Sequence, residues 1–211
     1  HKSVVVEEKL IGEEFSLQCL TDGKTVIATP PVQDHKRAYE NDKGPNTGGM
    51  GSYSSENHLL PFLKKEHVSK ALEITKKVAK AINEETGLYY KGIMYGGFIL
   101  TKNGVKLIEY NARFGDPEAM NVLPLLKTDF AFVCQAIITQ ELGRIKIEFE
   151  KKATVCKYAA PEGYPDNPIK NEKVNVGNAG NAKVYYASVE QKEDGLYMTG
   201  SRAIAFLGVG D

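Results

Sequence analysis

The chain has no net charge and no tryptophan. Its 27 lysines and arginines are balanced by 27 aspartates and glutamates, which excludes a nucleic-acid or acidic-membrane surface built on bulk positive charge. No apolar run approaches the roughly 20 residues that a membrane-spanning helix needs. We therefore expect neither a nucleic acid nor a membrane as a partner.

Cysteine is also scarce. Cys19, Cys134 and Cys156 are scattered along the chain, and their odd number and irregular spacing fit neither a metal site nor a disulfide framework. Reduced, buried thiols are typical of cytoplasmic proteins, so we predict a cytoplasmic location.

Arginine is the third scarce residue type, with only Arg37, Arg113, Arg144 and Arg202 in the chain. Lysine therefore supplies most of the positive charge needed for solubility. An arginine inside a motif is then expected to serve through its planar, multiply donating guanidinium group.

Hydrophobic periodicity predicts an α+β protein with many short strands. The predicted strands cover residues 3–6, 14–20, 24–29, 93–100, 105–110, 153–160, 183–189, 196–199 and 201–207. Helices are predicted over 62–85, ending at Gly87, over 129–140, and from Asp116-Pro117-Glu118, with Asp116 as the cap. We interpret residues 30–55, rich in Gly, Pro, Asn and Ser, as a functional loop.

The composition changes after Gly143, which places a domain boundary near residues 145–152. A strand is predicted almost at the first residue, and the sequence stops directly after another. We therefore expect the chain to be an internal piece of a longer protein.

The run from Leu107 to Glu118 is the most informative about function. Glu109 and Asn111 lie two positions apart at a strand end, and therefore on one face. A carboxylate and an amide oxygen are hard ligands of the kind that Mg²⁺ takes together with water and phosphate oxygens. Arg113 follows on the same face and suits a phosphate or a carboxylate. The alternative is a polar strand end followed by a helix cap.

Three earlier segments add to this run. Glu7–Glu14 follows a valine-rich strand and turns at Gly12, so its backbone is free to pair with an adenine edge. Gln33–Arg37 places charged groups after an apolar strand. Gly44–Gly51 reads GPNTGGMG, a loop that brings backbone N–H groups close to an anion but lacks the Lys-Ser/Thr of a Walker A loop. Taken singly, these segments also fit a charged connection, a solvated charge run and a flexible linker.

In this order the four segments resemble the ATP-grasp superfamily and, within it, the glycinamide ribonucleotide synthetase family. The resemblance implies an ATP-grasp lobe of antiparallel sheet and helices over residues 1–148, followed by a small, truncated β-rich domain over 149–211. It also implies an ATP-dependent carboxylate–amine ligase of de novo purine synthesis. Such an enzyme phosphorylates glycine and lets 5-phosphoribosylamine attack the acyl phosphate, giving glycinamide ribonucleotide, ADP and phosphate.

The resemblance implies a role for each matching residue. Glu109 and Asn111 would hold Mg²⁺ or Mn²⁺, and Arg113 and Lys36 would be catalytic, steadying the acyl phosphate or glycine. Glu7 and Leu10 would bind adenine through their backbones, and Glu14 would bind the ribose. The substrate phosphoribosylamine would be bound by Asp34, His35, Asn46, Thr47, Gly48 and Gly49. Arg202, which matches a turn in the C-terminal domain of the family, is interpreted as structural.

The family also carries an N-terminal α/β domain and a second ATP-binding lobe, and neither is expected in these residues. We therefore predict weak nucleotide binding and no turnover by this chain without that missing N-terminal portion. Two alternatives remain: an ATP-grasp ligase with other substrates, and a non-catalytic nucleotide-binding or scaffolding module.

Overall fold

The structure is a computed structural model that describes residues 3–41 and 43–211. Its strands are β1 Gly12–Thr21, β2 Val26–Ala28, β3 Gln33–Tyr39, β4 Lys43–Ser54, β5 Gly92–Thr101, β6 Gly104–Asn111, β7 Ala153–Ala159, β8 Lys173–Val174, β9 Lys183–Tyr186, β10 Val189–Lys192, β11 Gly195–Met198 and β12 Ile204–Gly210. Its helices are α1 Lys65–Thr86, α2 Glu118–Val122 and α3 Phe130–Thr139, with 3₁₀ turns at Leu123–Leu125 and Leu142–Arg144. None of the helices described is long and apolar enough to cross a bilayer.

A four-stranded antiparallel sheet, in the order β2-β1-β5-β6, carries the largest core. Its central strand β1 pairs with β5 along ten residues. Alternate β1 side chains, Phe15, Leu17 and Cys19, belong to the apolar core that includes α1 residues. Because strand side chains alternate, Ser16 and Gln18 lie on the opposite face. One face of the sheet is therefore built for packing and the other for polar contacts.

Helix α1 covers the apolar face of this sheet. Ala71, Thr75 and Ala79 are its buried residues, and they recur at the spacing of one helix face. The helix ends at Gly87, whose φ of 72° is left-handed, a conformation that glycine adopts without strain. The predicted end is confirmed. The helix begins at Lys65 rather than at residue 62, because residues 60–63 form a turn closed by the Leu63 N–H and the Leu60 carbonyl.

A second, five-stranded sheet has the order β3-β4-β7-β12-β9 and joins the early hairpin to the end of the chain. Helix α2 packs against it through Asn121, which is fully buried and donates to the Ser52 carbonyl and the Thr154 hydroxyl. A small third sheet has the order β10-β11-β8. The pairing of β4 with β7 crosses the boundary predicted near residue 148, and that boundary stays a prediction.

The α+β class with antiparallel sheets is confirmed, but three local predictions are wrong. Most of residues 30–55 form the β3–β4 hairpin rather than a loop, because long-range pairing with β7 orders them. Residues 3–6 are not a strand; none of the described residues pairs with them in a sheet, and their valines are exposed. Asp116 does not cap α2, since Pro117 holds that position and the Asp116 carboxylate binds Tyr158 and Arg202 instead.

Candidate functional site

A continuous cleft runs between the polar face of the four-stranded sheet and the β3–β4 hairpin. It consists of three adjoining cavities: a hinge cavity at one end, a central cavity and a loop cavity at the other end. Glu14 and Ile108 line both the hinge and the central cavities. Asp34, Lys36 and Glu109 line both the central and the loop cavities. The central cavity is small, ≈ 20 Å³, and the hinge and loop cavities at its two ends hold most of the open volume.

The hinge cavity measures ≈ 380 Å³ and gathers the three residues predicted to bind the nucleoside. Glu7, Leu10 and Glu14 line it together with the apolar side chains of Ile99, Leu107 and Ile108. The segment before Gly12 lies outside the strands of the sheet, so its backbone is not committed to a ladder. Apolar side chains beside free backbone groups are suited to a flat heterocycle with a polar edge.

Glu109 and Asn111 project from the end of β6 into the cleft. The Glu109 Oε1 and Asn111 Nδ2 atoms lie 3.4 Å apart. In the β5–β6 register Gly97 pairs with Glu109 and Phe98 pairs with Leu107, so Ile108 is an extra, bulged residue. Neighbouring residues of a regular strand face opposite sides, and the bulge is what lets both Ile108 and Glu109 line the cleft.

The donor set of this pair fits a small divalent cation. A carboxylate and an amide oxygen supply two hard ligands, and the described residues contain no group of three His, Cys, Asp or Glu side chains able to hold a metal. The remaining coordination positions are therefore left to water and to the oxygens of a ligand. Mg²⁺ is commonly bound in this way, through one or two protein side chains and substrate phosphates.

Two positively charged side chains flank the Glu109–Asn111 pair. Arg113 lies within 3.5 Å of the Asn111 Oδ1 atom and donates to the Phe114 carbonyl. The Lys36 Nζ atom lies 3.8 Å from a Glu14 carboxylate oxygen, and both side chains are substantially exposed. Such an ion pair is worth little in water. Lys36 can therefore exchange Glu14 for a more highly charged anion in the cleft.

Acidic groups line the cleft beside these cations. Glu118 is 2% exposed and accepts a 2.6 Å hydrogen bond from the Tyr95 hydroxyl. Burial, and then the charge of Glu118, raise the pKa of Asp34 to about 8, although Lys36 and Arg202 oppose the shift. The Asp34 Oδ1 atom is buried without a hydrogen-bond partner among the described residues. It is thus available to a ligand.

The glycine-rich segment of β4 lies at the loop end of the cleft. The Thr47 hydroxyl donates to the Lys36 carbonyl (2.8 Å) and accepts from the Gly49 N–H (3.1 Å). Thr47 and Gly48 line the loop cavity of ≈ 170 Å³ together with Asn111 and Arg113. Two separate sequence segments therefore meet there.

Two of the predicted substrate residues lie elsewhere. Because β3 side chains alternate, His35 faces away from the cleft that Asp34 and Lys36 line. Its ring stacks on Tyr53 (centroids 6.2 Å apart) and borders a separate cavity of ≈ 250 Å³ with Arg37. Asn46 is exposed and pairs in register with Arg37. It is not among the residues lining the cleft.

Arg202, which the sequence indicates only as a structural residue of a turn, also lies in this region. Its guanidinium group donates to the carbonyl oxygens of Gly48 (2.9 Å) and Gly49 (2.8 Å) and pairs with the Asp116 carboxylate (3.0 Å). The scarcity of arginine was the one signal in the sequence that could have indicated it. Tyr95 and Glu118 carried no such signal.

Comparison with known proteins identifies the family. Residues 1–119 match the family model of the phosphoribosylglycinamide synthetase ATP-grasp (A) domain. A phosphoribosylamine–glycine ligase of Methanosarcina barkeri is 56% identical over 209 residues, covering 99% of this chain and 48% of that protein. The same enzyme of Methanococcoides burtonii is 57% identical over 207 residues, covering 98% and 48%.

A solved structure agrees with these relatives. The crystal structure of phosphoribosylamine–glycine ligase from Thermotoga maritima superposes with a TM-score of 0.84 at 29% identity, covering 97% of this chain and 50% of that one. The ATP-grasp fold expected from the resemblance is thereby confirmed, and the chain spans about half the length of the relatives that it matches. The chain therefore belongs to the phosphoribosylglycinamide synthetase ATP-grasp (A) domain family.

Proposed function

We propose that this chain forms much of the active-site cleft of a phosphoribosylamine–glycine ligase, which joins glycine to 5-phosphoribosylamine at the expense of ATP. The observation that carries the proposal is the single cleft, in which the hinge cavity, the Glu109–Asn111 pair and the glycine-rich segment of β4 adjoin one another. Relatives 56–57% identical to the chain are named for this activity.

The nucleotide would occupy the hinge end. Glu7 and Leu10 would contact adenine through their backbones, and Glu14 would accept from the ribose hydroxyls. Its phosphates would then point along the cleft toward Lys36 and Glu109, which line the central cavity. This direction follows from the order of the cavities.

Phosphoryl transfer to the glycine carboxylate brings several negatively charged oxygens together. A divalent cation, Mg²⁺ or Mn²⁺, would offset that repulsion when bound, and Glu109 and Asn111 are the residues that would hold it. Lys36 and Arg113 would steady the transferred group and the carboxylate from either side. Fixed charges of this kind act more strongly in a cleft than in water.

The amine would enter from the loop end. Its nitrogen would attack the acyl carbon, the new C–N bond would form, and the C–O bond to phosphate would break, releasing phosphate and a proton. Asp34, Thr47, Gly48 and Gly49 line or border that end and would orient the amine. No enzyme nucleophile takes part in this sequence. His35 and Asn46 do not line these cavities, and a substrate-binding role for them stays a prediction.

The relatives are about twice as long as this chain, so we propose that turnover needs the remaining, N-terminal portion of the complete gene product. The 211 residues alone would bind ATP weakly. We further propose a cytoplasmic location, where ATP and the small substrates are available.

The test is an assay of the complete gene product. We expect ADP and glycinamide ribonucleotide to form only when ATP, glycine and phosphoribosylamine are all supplied with Mg²⁺ or Mn²⁺. Glu109→Gln, which keeps the side-chain shape and removes its charge, should lower turnover at least about 100-fold and raise the metal concentration required. Glu85→Gln, at an exposed position of α1, is the matched control and should change neither.

Two other outcomes would replace the proposal. ADP release that depends on a different acid or amine would indicate a ligase of other specificity. ATP binding without turnover, independent of metal and unchanged in Glu109→Gln, would indicate a non-catalytic nucleotide-binding module.

A further inference from the structure

Arg202 connects three segments that are distant in sequence. It follows the turn before β12, yet its Nη1 atom donates to the carbonyls of Gly48 (2.9 Å), Gly49 (2.8 Å) and Asp116 (3.3 Å), and its Nη2 atom pairs with the Asp116 carboxylate (3.0 Å). One side chain thereby joins the glycine-rich segment, the chain that follows the metal pair, and the C-terminal sheet.

The surroundings of Arg202 are built for a guanidinium group. Its side chain is only 14% exposed, and its central carbon lies 4.6 Å from the centre of the Tyr158 ring. The Tyr158 hydroxyl donates to the other Asp116 oxygen (2.6 Å). A Cβ on residue 48 would come within 2.7 Å of the Arg202 Nη2 atom. A side chain at position 48 would therefore displace the guanidinium group, and a lysine ammonium could not reproduce the planar set of contacts.

Arg202 acts on the cleft through its neighbours. Gly48, Asp116 and Thr47 line the loop cavity, whereas Arg202 does not. None of its contacts involves the hinge cavity, which Glu7, Leu10 and Glu14 line. The influence of Arg202 is thus confined to the end of the cleft opposite the proposed nucleotide.

We propose that Arg202 is a positioning residue for the amine-binding end of the cleft. It fixes the Gly48 and Gly49 backbone and orients Asp116 so that the loop cavity keeps its shape before a substrate arrives. This role rests on the proposed function for the identity of the amine. Substrate binding at the loop end of the cleft depends on Arg202, whereas nucleotide binding at the hinge end does not.

The test compares Arg202→Met and Arg202→Lys with Arg144→Met in the complete gene product. Arg144 is 81% exposed and, among the residues that the structure describes, forms an ion pair only with Glu141 three positions earlier, so its loss should change nothing. We expect both Arg202 variants to raise the KM for phosphoribosylamine roughly 10- to 100-fold, as the loss of charge-assisted hydrogen bonds implies. The Kd for ATP should stay within twofold. Equal weakening of ATP and amine binding would overturn the proposal, because that pattern marks a general loss of structure.

A second readout does not need turnover. Amide hydrogen exchange should accelerate at residues 47–50 in Arg202→Met and stay unchanged at residues 7–14. If the wild-type protein proves inactive with phosphoribosylamine while this exchange pattern is seen, the proposed substrate is wrong but the positioning role stands. Unchanged exchange at 47–50 would overturn the positioning role whatever the substrate.

Discussion

Gly49 packs against Pro117 at the start of α2, and replacing it by alanine tests how tightly the end of the cleft is packed. Its φ is +109°, a region that side chains rarely adopt. A Cβ at this position would lie 2.6 Å from both the Asp34 Oδ1 atom and the Pro117 Cδ atom. The carboxylate oxygen can turn away, but the proline ring is held at the start of α2.

The cost of Gly49→Ala has two parts. The positive φ alone costs about 1–2 kcal/mol for an L-residue. Forcing a methyl group against the proline ring adds about 1–3 kcal/mol, the usual effect of overpacking. Gly104→Ala is the matched control, because Gly104 has a φ of +99° and nothing within 4 Å of its Cβ position. Gly104→Ala therefore carries only the cost of the positive φ.

The measurement is urea unfolding of the 211-residue chain and of both variants. We expect Gly49→Ala to lower the free energy of unfolding by about 1–3 kcal/mol more than Gly104→Ala does. If the two variants lose the same stability within about 0.5 kcal/mol, the contact between Gly49 and Pro117 is not close and the packing argument fails.

Three further predictions use simple measurements. Burial raises the pKa of Asp34 from its usual 3.8 to about 8. The contribution of this carboxyl group to the free energy of unfolding is therefore full below pH 4 and is lost as the pH rises to 8. Asp34→Asn should therefore gain about 2–4 kcal/mol over wild type between pH 5 and pH 8 in urea unfolding, whereas Asp194→Asn, at an exposed position with a lowered pKa, should show no such gain. Asn121→Ala should lower the free energy of unfolding by about 2–4 kcal/mol, because it removes the acceptor of the buried Ser52 hydroxyl and the donor to the Ser52 carbonyl and the Thr154 hydroxyl; a loss below about 1 kcal/mol would contradict that network. Iodoacetamide should modify the part-exposed Cys134 before the buried Cys19, whose pKa burial raises to about 12; mass spectrometry showing the reverse order would refute it.

Features governed by neighbouring residues were predictable from the sequence. The β5–β6 hairpin turns at Lys102–Asn103, directly before Gly104, α1 ends at the left-handed Gly87, and Asp129 caps α3 by accepting from the Phe132 N–H. Each depends on residues within a few positions, where turn and cap chemistry decide the outcome.

The hairpin wall of the cleft was not predictable in the same way. Residues 43–54 are rich in glycine and lack an apolar alternation, yet they form β4 because β3, β7 and α2 surround them. Val4, Val5 and Val6 show the converse, since they favour strands but stay 83–90% exposed. Strand propensity measures fit to neighbours, and those neighbours are remote in sequence.

The residues of the site also differ in whether neighbouring or remote parts of the chain determine their position. The placement of Glu109 and Asn111 on one face follows from the alternation of β6, and the structure brings both residues and Lys36 of β3 to one cleft. Arg202 could not be placed there, because its partners lie 86 and 154 residues away. The family resemblance groups His35 with Asp34, whereas adjacent strand residues face opposite sides and only Asp34 lines the cleft.

The pairing of β4 with β7 has a consequence for how the protein is made. Ser54 and Thr154, which share a buried hydrogen bond, are 100 residues apart in the chain. During synthesis the glycine-rich strand leaves the ribosome long before its partner, and closing so long a loop carries an entropic cost that local hairpins avoid. The four-stranded sheet and α1 can form first, from contacts available by residue 111. The hairpin wall is therefore the last part of the cleft to be assembled, and it stays exposed to misfolding until β7 has been translated.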